Sequence, residues 1–105
     1  MVASSPVGAE ECTITVTEPN QTVMGTPGPD VICIQSNGNS IYAGGGGDIV
    51  VDDGSGNFIY LEDGNDEYDG SGGSGGTVDG GAGDDVITGT PGADDLDGGL
   101  GEDEI

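Results

Sequence analysis

An all-β stack of short repeated coils is the fold this sequence predicts, and three observations predict it. A nine-residue beat runs almost without interruption from Gly25 to Ile105. One large apolar residue falls at the same phase of nearly every unit. The composition, with 24 Gly among 105 residues, 31% apolar residues and no Trp, is too poor in large side chains for an ordinary globular core. Such a chain buries its apolar residues only by stacking one small unit on the next.

Residues 1–11 come first and read as a disordered leader or signal remnant. They lack the basic and apolar regions of a signal peptide, although Val7-Gly8-Ala9 has the small side chains of a cleavage site. Cys12-Thr-Ile-Thr-Val-Thr17 alternates with period two and is β-branched, which predicts a strand. Glu18-Pro-Asn-Gln21 breaks it, so residues 12–24 are expected to form an N-terminal capping strand and linker. The chain has two cysteines and no His. A disulfide from Cys12 in the cap to Cys33 in the first repeat is expected, and closing that loop contributes about 3 kcal/mol. Paired cysteines in a Gly/Asp-rich chain fit an exported protein better than a cytosolic one. Asn20-Gln-Thr22 matches a glycosylation sequon, but three residues are too short a match to carry weight.

From residue 25 the units are fixed by their eighth position, which should point inward: Ile32, Ile41, Val50, Ile59, Tyr68, Val78, Ile87, Leu96 and Ile105. Every step is nine residues except Tyr68 to Val78, where one extra residue falls near Gly70-Ser-Gly-Gly-Ser-Gly-Gly76. Six residues with little side-chain bulk make a tight turn, and three around the aliphatic residue make a short strand. Two units complete an 18-residue coil, and successive coils stack at the strand spacing of about 4.8 Å. Tyr42, Phe58 and Tyr60 flank inward positions and should lie outside.

The sixth position carries the chemistry. Alternate units share an edge of the stack, so this position splits into two columns. Asp30, Asp48, Asp66, Asp85 and Asp103 form an unbroken odd column, whereas Asn39, Asn57, Gly76 and Asp94 form a degraded even one. Carboxylates about 5 Å apart repel by roughly 3 kcal/mol at an effective dielectric near 20. The chain carries 21 acidic residues and no Lys, Arg or His, a net charge of −21, so a neutralising cation must come from solution. Calcium suits such a gap because it takes six to eight oxygens in flexible geometry, while magnesium demands a stricter octahedron and should compete poorly.

The central unit, Gly80-Gly-Ala-Gly-Asp-Asp-Val-Ile-Thr88, reads G-G-x-G-x-D-x-(aliphatic)-x. It resembles the RTX (repeats-in-toxin) calcium-binding repeat, and the resemblance covers about three quarters of the chain. The resemblance implies a right-handed parallel β-roll, with each ion held between two turns on one edge by backbone carbonyls and by the sixth-position Asp of both. The best match is the pair of turns ending in Asp85 and Asp103, with Gly80, Ala82, Gly99 and Gly101 as carbonyl donors. Gly25-Thr-Pro-Gly-Pro-Asp30 and Gly89-Thr-Pro-Gly-Ala-Asp94 keep the first and fourth glycines, and residues 43–48 lose only the first. Leu61-Glu-Asp-Gly-Asn-Asp66 keeps only Gly64 and Asp66. Up to four calcium ions are expected on the odd edge, held by Asp30, Asp48, Asp66, Asp85 and Asp103. Asp94 and, more weakly, Asn39 and Asn57 would serve the even edge.

Other functions are excluded or ranked low on the same residues. Nucleic acid and anionic membranes need a basic surface, and no apolar run approaches the roughly 20 residues of a span. Without His, a catalytic triad or zinc site is not expected, nor is enzymatic activity. Gly70-Ser-Gly-Gly-Ser-Gly75 matches a dinucleotide fingerprint, but no helix pattern follows it. No stretch satisfies an EF-hand loop. The expected function is calcium binding by a module that is largely unfolded without the ion, and the resemblance implies that it is secreted and extracellular. One alternative is the repeat region of a larger toxin, protease or lipase, since the last unit stops at its eighth position. Another is an ice-binding or adhesive roll, which should show a repeated row of Thr or Asn.

Overall fold

The computed structural model describes residues 12–105, so the leader expected over residues 1–11 lies outside the described residues. Ten strands form two five-stranded sheets in which every pairing is parallel. The first sheet is ordered β1 (Ile14–Val16), β3 (Val31–Ile34), β5 (Ile49–Asp52), β7 (Glu67–Asp69) and β9 (Val86–Thr88). The second is ordered β2 (Thr22–Met24), β4 (Ser40–Tyr42), β6 (Ser55–Tyr60), β8 (Ser74–Asp79) and β10 (Asp94–Asp97). The chain crosses from one sheet to the other at every turn, so each coil gives one strand to each sheet. The result is a parallel β-solenoid. The segment expected as cap and linker supplies β1 and β2, the outermost strand of each sheet.

Register confirms the inward phase. Ile14, Ile32, Val50, Tyr68 and Ile87 stack in one sheet. Val23, Ile41, Ile59, Val78 and Leu96 stack in the other. The 18-residue step becomes 19 between Ile59 and Val78 and between Tyr68 and Ile87. Both belong to a single extra residue between Asp69 and Ser74, where Gly73 N donates to the Gly70 carbonyl at 2.9 Å. A compact glycine turn absorbs it without disturbing either sheet.

The core differs from the sequence expectation at both ends of its list. Ile105 is 64% exposed rather than inward, because only a single bridge, Val86 to Glu104, holds that part of the last coil. Leu96 is half-buried against the core. Conversely, Val16, Ile34, Ala43 and Leu61 are buried with the eighth-position residues. Ile34, Ala43 and Leu61 each lie two residues after an inward side chain, and strand alternation turns them inward as well. The coil carrying Ile32, Ile34, Ile41 and Ala43 is therefore two apolar residues wide on both walls, Asp52 takes the second place beside Val50, and Gly25, Gly70, Gly80, Gly89 and Gly98 leave it without a side chain. Cys12 and Cys33 are disulfide-bonded as expected, with Cα atoms 5.8 Å apart, which ties the lead into β1 to the neighbouring β3.

Candidate metal centre

The odd-edge turns, residues 25–30, 43–48, 61–66, 80–85 and 98–103, lie one above the next. Their sixth-position aspartates form a continuous ladder. The backbone N–H of Asp30 donates to Asp48 Oδ1 at 2.8 Å, Asp48 N to Asp66 Oδ1 at 2.7 Å, Asp66 N to Asp85 Oδ1 at 2.9 Å and Asp85 N to Asp103 Oδ1 at 2.8 Å. The column predicted from the nine-residue phase is therefore a physical column. One oxygen of each carboxylate from Asp48 to Asp103 joins its coil to the one before.

The second oxygen is the anomaly. Asp48 Oδ2, Asp66 Oδ2 and Asp85 Oδ2 are buried and have no hydrogen-bond partner, and their residues are 1–2% exposed. Desolvation of a lone carboxylate is costly, so such groups pair, bind a cation or take up a proton. Burial pushes the Asp48 carboxyl up to about 7 and the Asp66 carboxyl up to about 8, opposed by the backbone N–H each accepts and reinforced by the adjacent carboxylates. Burial raises Asp85 in the same direction. With no Lys, Arg or His in the chain, no side chain can supply the missing positive charge.

Four of the five odd turns share one backbone shape. Their second position has positive φ at Gly44 (+90°), Glu62 (+70°), Gly81 (+77°) and Gly99 (+80°), and their fourth at Gly46, Gly64, Gly83 and Gly101. Glu62 holds this left-handed conformation although it is not glycine, so the turn that keeps only Gly64 and Asp66 of the pattern still takes the shared shape. The carbonyls of Gly46, Gly64 and Gly83 press against the fourth-position glycine of the next coil, where a Cβ would collide. At Gly80 a Cβ would stand 2.5 Å from the Gly98 carbonyl oxygen and 2.7 Å from Asp85 Oδ2, and at Gly98 one would stand 2.7 Å from Asp103 Oδ2. These glycines keep open a cradle lined by carbonyl and carboxylate oxygens. The Ala82 carbonyl accepts from Gly64 N at 3.1 Å, and Ala82 bridges to Leu100. Among the described residues no three acidic side chains gather tightly enough to hold a metal alone, so an ion on this edge must draw on backbone oxygens too. That donor set, all oxygen and partly carbonyl, suits calcium.

The first odd turn is different. Thr26 donates to its own Asp30 twice, from N to Oδ2 at 2.8 Å and from Oγ1 to Oδ1 at 2.9 Å. Thr90 treats Asp94 the same way on the even edge, at 3.0 and 2.7 Å. In both Thr-Pro-Gly turns a hydroxyl and an amide occupy the carboxylate that elsewhere is left open. This role of Thr was not read from the sequence, although the repeated Gly-Thr-Pro-Gly was visible.

The even edge closes with amides. Gln21 N donates to Asn39 Oδ1 and Asn39 N to Asn57 Oδ1, each at 2.8 Å. Asn39 Nδ2 reaches Asn57 Oδ1 at 3.0 Å and Ser36 Oγ at 3.0 Å, and Asn57 Nδ2 reaches Asp52 Oδ1 at 2.9 Å and the Ser36 carbonyl at 3.1 Å. Each Asn repeats the Asp ladder with its oxygen and fills the remaining space with its own NH2 group. At Gly76, which has no side chain, the Tyr68 hydroxyl comes within 3.8 Å of where a Cβ would be. That hydroxyl crosses the interior to donate to Asp52 Oδ2 at 2.8 Å. Burial raises the pKa of Asp52, the one carboxylate on the inward first position, while Tyr68, Gly54 N and Asn57 pull it back by donating to it.

Fold and site together define a repeat-built parallel solenoid: stacked coils, glycine turns lined by carbonyl and carboxylate oxygens, and a buried acidic column with no basic side chain to neutralise it. Residues 71–105 match the family model for the RTX calcium-binding nonapeptide repeat, in four copies. The match covers the last third of the chain. No curated protein and no solved structure gives a significant match to the chain.

Proposed function

We propose that this chain binds calcium between the stacked odd-edge turns and folds as it does so. The observation that carries the reading is that three of the four buried, unpartnered carboxylate oxygens among the described residues, those of Asp48, Asp66 and Asp85 but not that of Asp69, fall in one column of a chain without a basic side chain. Asp48, Asp66, Asp85 and Asp103 would hold the ions, together with carbonyls of the intervening turns, among them Gly80, Ala82, Gly99 and Gly101. Calcium would supply the positive charge that lets the column close. The four alike turns enclose three gaps. The gap beneath Asp30 is weaker, because Thr26 already engages both of its oxygens, so three ions bind more tightly than a fourth. Asn39 and Asn57 close their edge with amides and need no ion, and Asp94 is engaged by Thr90.

A site made from pieces of adjacent coils exists only when those coils are stacked, so binding energy is folding energy. A chain unfolded at low calcium and folded at high calcium suits a protein exported through a narrow path into a calcium-rich exterior, and we place it outside a bacterial cell on the strength of its RTX repeats. It acts as a binding module rather than an enzyme. The outward row Thr22, Ser40, Phe58, Thr77 and Asp95 is not the uniform Thr face of an ice binder.

The test is a calcium titration followed by circular dichroism and calorimetry, with magnesium as control. Strand signal should grow with calcium, near three ions should bind, and magnesium should leave a coil. A coil spectrum unchanged at several millimolar calcium overturns the proposal, as would equal folding by magnesium.

A further inference from the structure

The acidic residues are unevenly placed: between Cys12 and Ile105, five precede Leu61 and fourteen follow it. This gradient is written onto the outer face of the second sheet. Because Val23, Ile41, Ile59, Val78 and Leu96 face inward, their strand neighbours face out, and the register aligns Met24, Tyr42, Tyr60, Asp79 and Asp97 in a single row across all five strands. Tyr42 and Tyr60 stack with ring centroids 4.9 Å apart and planes 9° apart. Met24 is 69% exposed, and Phe58, in the parallel row, is 47% exposed. One half of the face thus carries Met24, Tyr42, Phe58 and Tyr60 beside the small hydroxyls of Thr22 and Ser40, and the other half is anionic, with Asp79, Asp95 and Asp97 all exposed.

We propose that this face is a docking surface for a cationic amphipathic helix of a partner protein. Five strands at about 4.8 Å make a row roughly 19 Å long, which about thirteen helical residues would span. The pitch of a helix, ~5.4 Å, nearly matches the strand spacing. Apolar residues at one end of the helix stripe would lie on Met24, Tyr42, Phe58 and Tyr60, and Lys or Arg at the other end would meet Asp79, Asp95 and Asp97. Charge selects this occupant. A second copy brings the same anionic rows, and an anionic lipid surface is repelled by a chain of charge −21. The apolar half supplies affinity, while the anionic half supplies orientation and approach rate. The surface depends on the fold and not on which ion holds it together.

The probe is a synthetic fifteen-residue helix with Leu along one half of a face and Lys along the other, titrated onto the full chain in saturating calcium. Two control peptides replace the Leu residues by Ser or the Lys residues by Gln. Both controls should bind at least about tenfold more weakly, the loss expected when one buried aromatic contact or its charge partner is removed. Tyr42→Ser with Phe58→Ser should weaken the parent peptide to a similar degree without changing the strand spectrum, since both side chains point outward. Asp79→Asn with Asp97→Asn should flatten the salt dependence, and Asn can still accept the turn bonds that Gly81 N and Gly99 N make to these carboxylates. Equal binding by the Ser control peptide, or by the Tyr42/Phe58 variant, overturns the proposal by reducing it to bulk charge attraction. Dimerisation in sedimentation that the same variant abolishes overturns it in favour of a second copy.

Discussion

In chelator, the protein should fold as the solution is acidified. The Asp48 and Asp66 carboxyls are raised to about 7 and about 8 in the folded chain, from an ordinary value of 3.8. The folded state therefore holds protons that the unfolded state releases, and its stability grows as pH falls through 8 and 7 toward the unfolded value. Taken separately, the two groups would give roughly 7 kcal/mol between pH 9 and pH 5, at ~1.4 kcal/mol per pH unit below each folded value. They repel across the same gap and water reaches the outer side of the turns, so about half of that, on the order of 3 kcal/mol, is expected. Protons would stand in for calcium. Circular dichroism of the metal-free chain from pH 9 to pH 5, above the isoelectric point of 4.1, would read it, with denaturant midpoints giving the free energy. In calcium the dependence should invert, because ion binding displaces those protons. A metal-free chain equally folded at every pH, or better folded at pH 9, refutes the reasoning that buried like charges are what keep the coils apart.

Three further outcomes follow from single side chains. Asp66→Asn should stabilise the metal-free chain by about 1–3 kcal/mol, since its amide can act as Asn57 does on the other edge, while calorimetry shows calcium stoichiometry falling. Tyr68→Phe should cost about 1–3 kcal/mol in saturating calcium, read as a lower denaturant midpoint, because Asp52 Oδ2 loses the O–H that satisfies it inside the core. Glu62→Gly should raise stability by roughly 1 kcal/mol, because glycine accepts the left-handed conformation that Glu62 holds at strain.

Much of this architecture was legible because a period of nine fixes phase. Once Ile32, Val50 and Ile87 are known to face inward, Asp30, Asp48 and Asp85 must share an edge, and they do. What escaped was the second inward position. Period two within each strand makes the residue after next point inward as well, which would have added Ile34, Ala43 and Leu61 to the core and flagged Asp52 as a charge inside it. Recognising Leu61 only as a missing glycine hid its place in the packing. The Tyr68 to Asp52 bond spans 16 residues and two strands, and no local pattern announces it. The exchange of Asp for Asn on the even edge was visible, but it reads as lost ligation until the amides are seen filling the space themselves.

The extra residue between Asp69 and Ser74 shows where this chain tolerates change in length. It falls on the side sealed by amides and glycine, and the five opposing loops all remain six residues long. The two borders of the solenoid thus differ: one accommodates an extra residue, while the other keeps a constant count, as ion sites shared between successive turns would require.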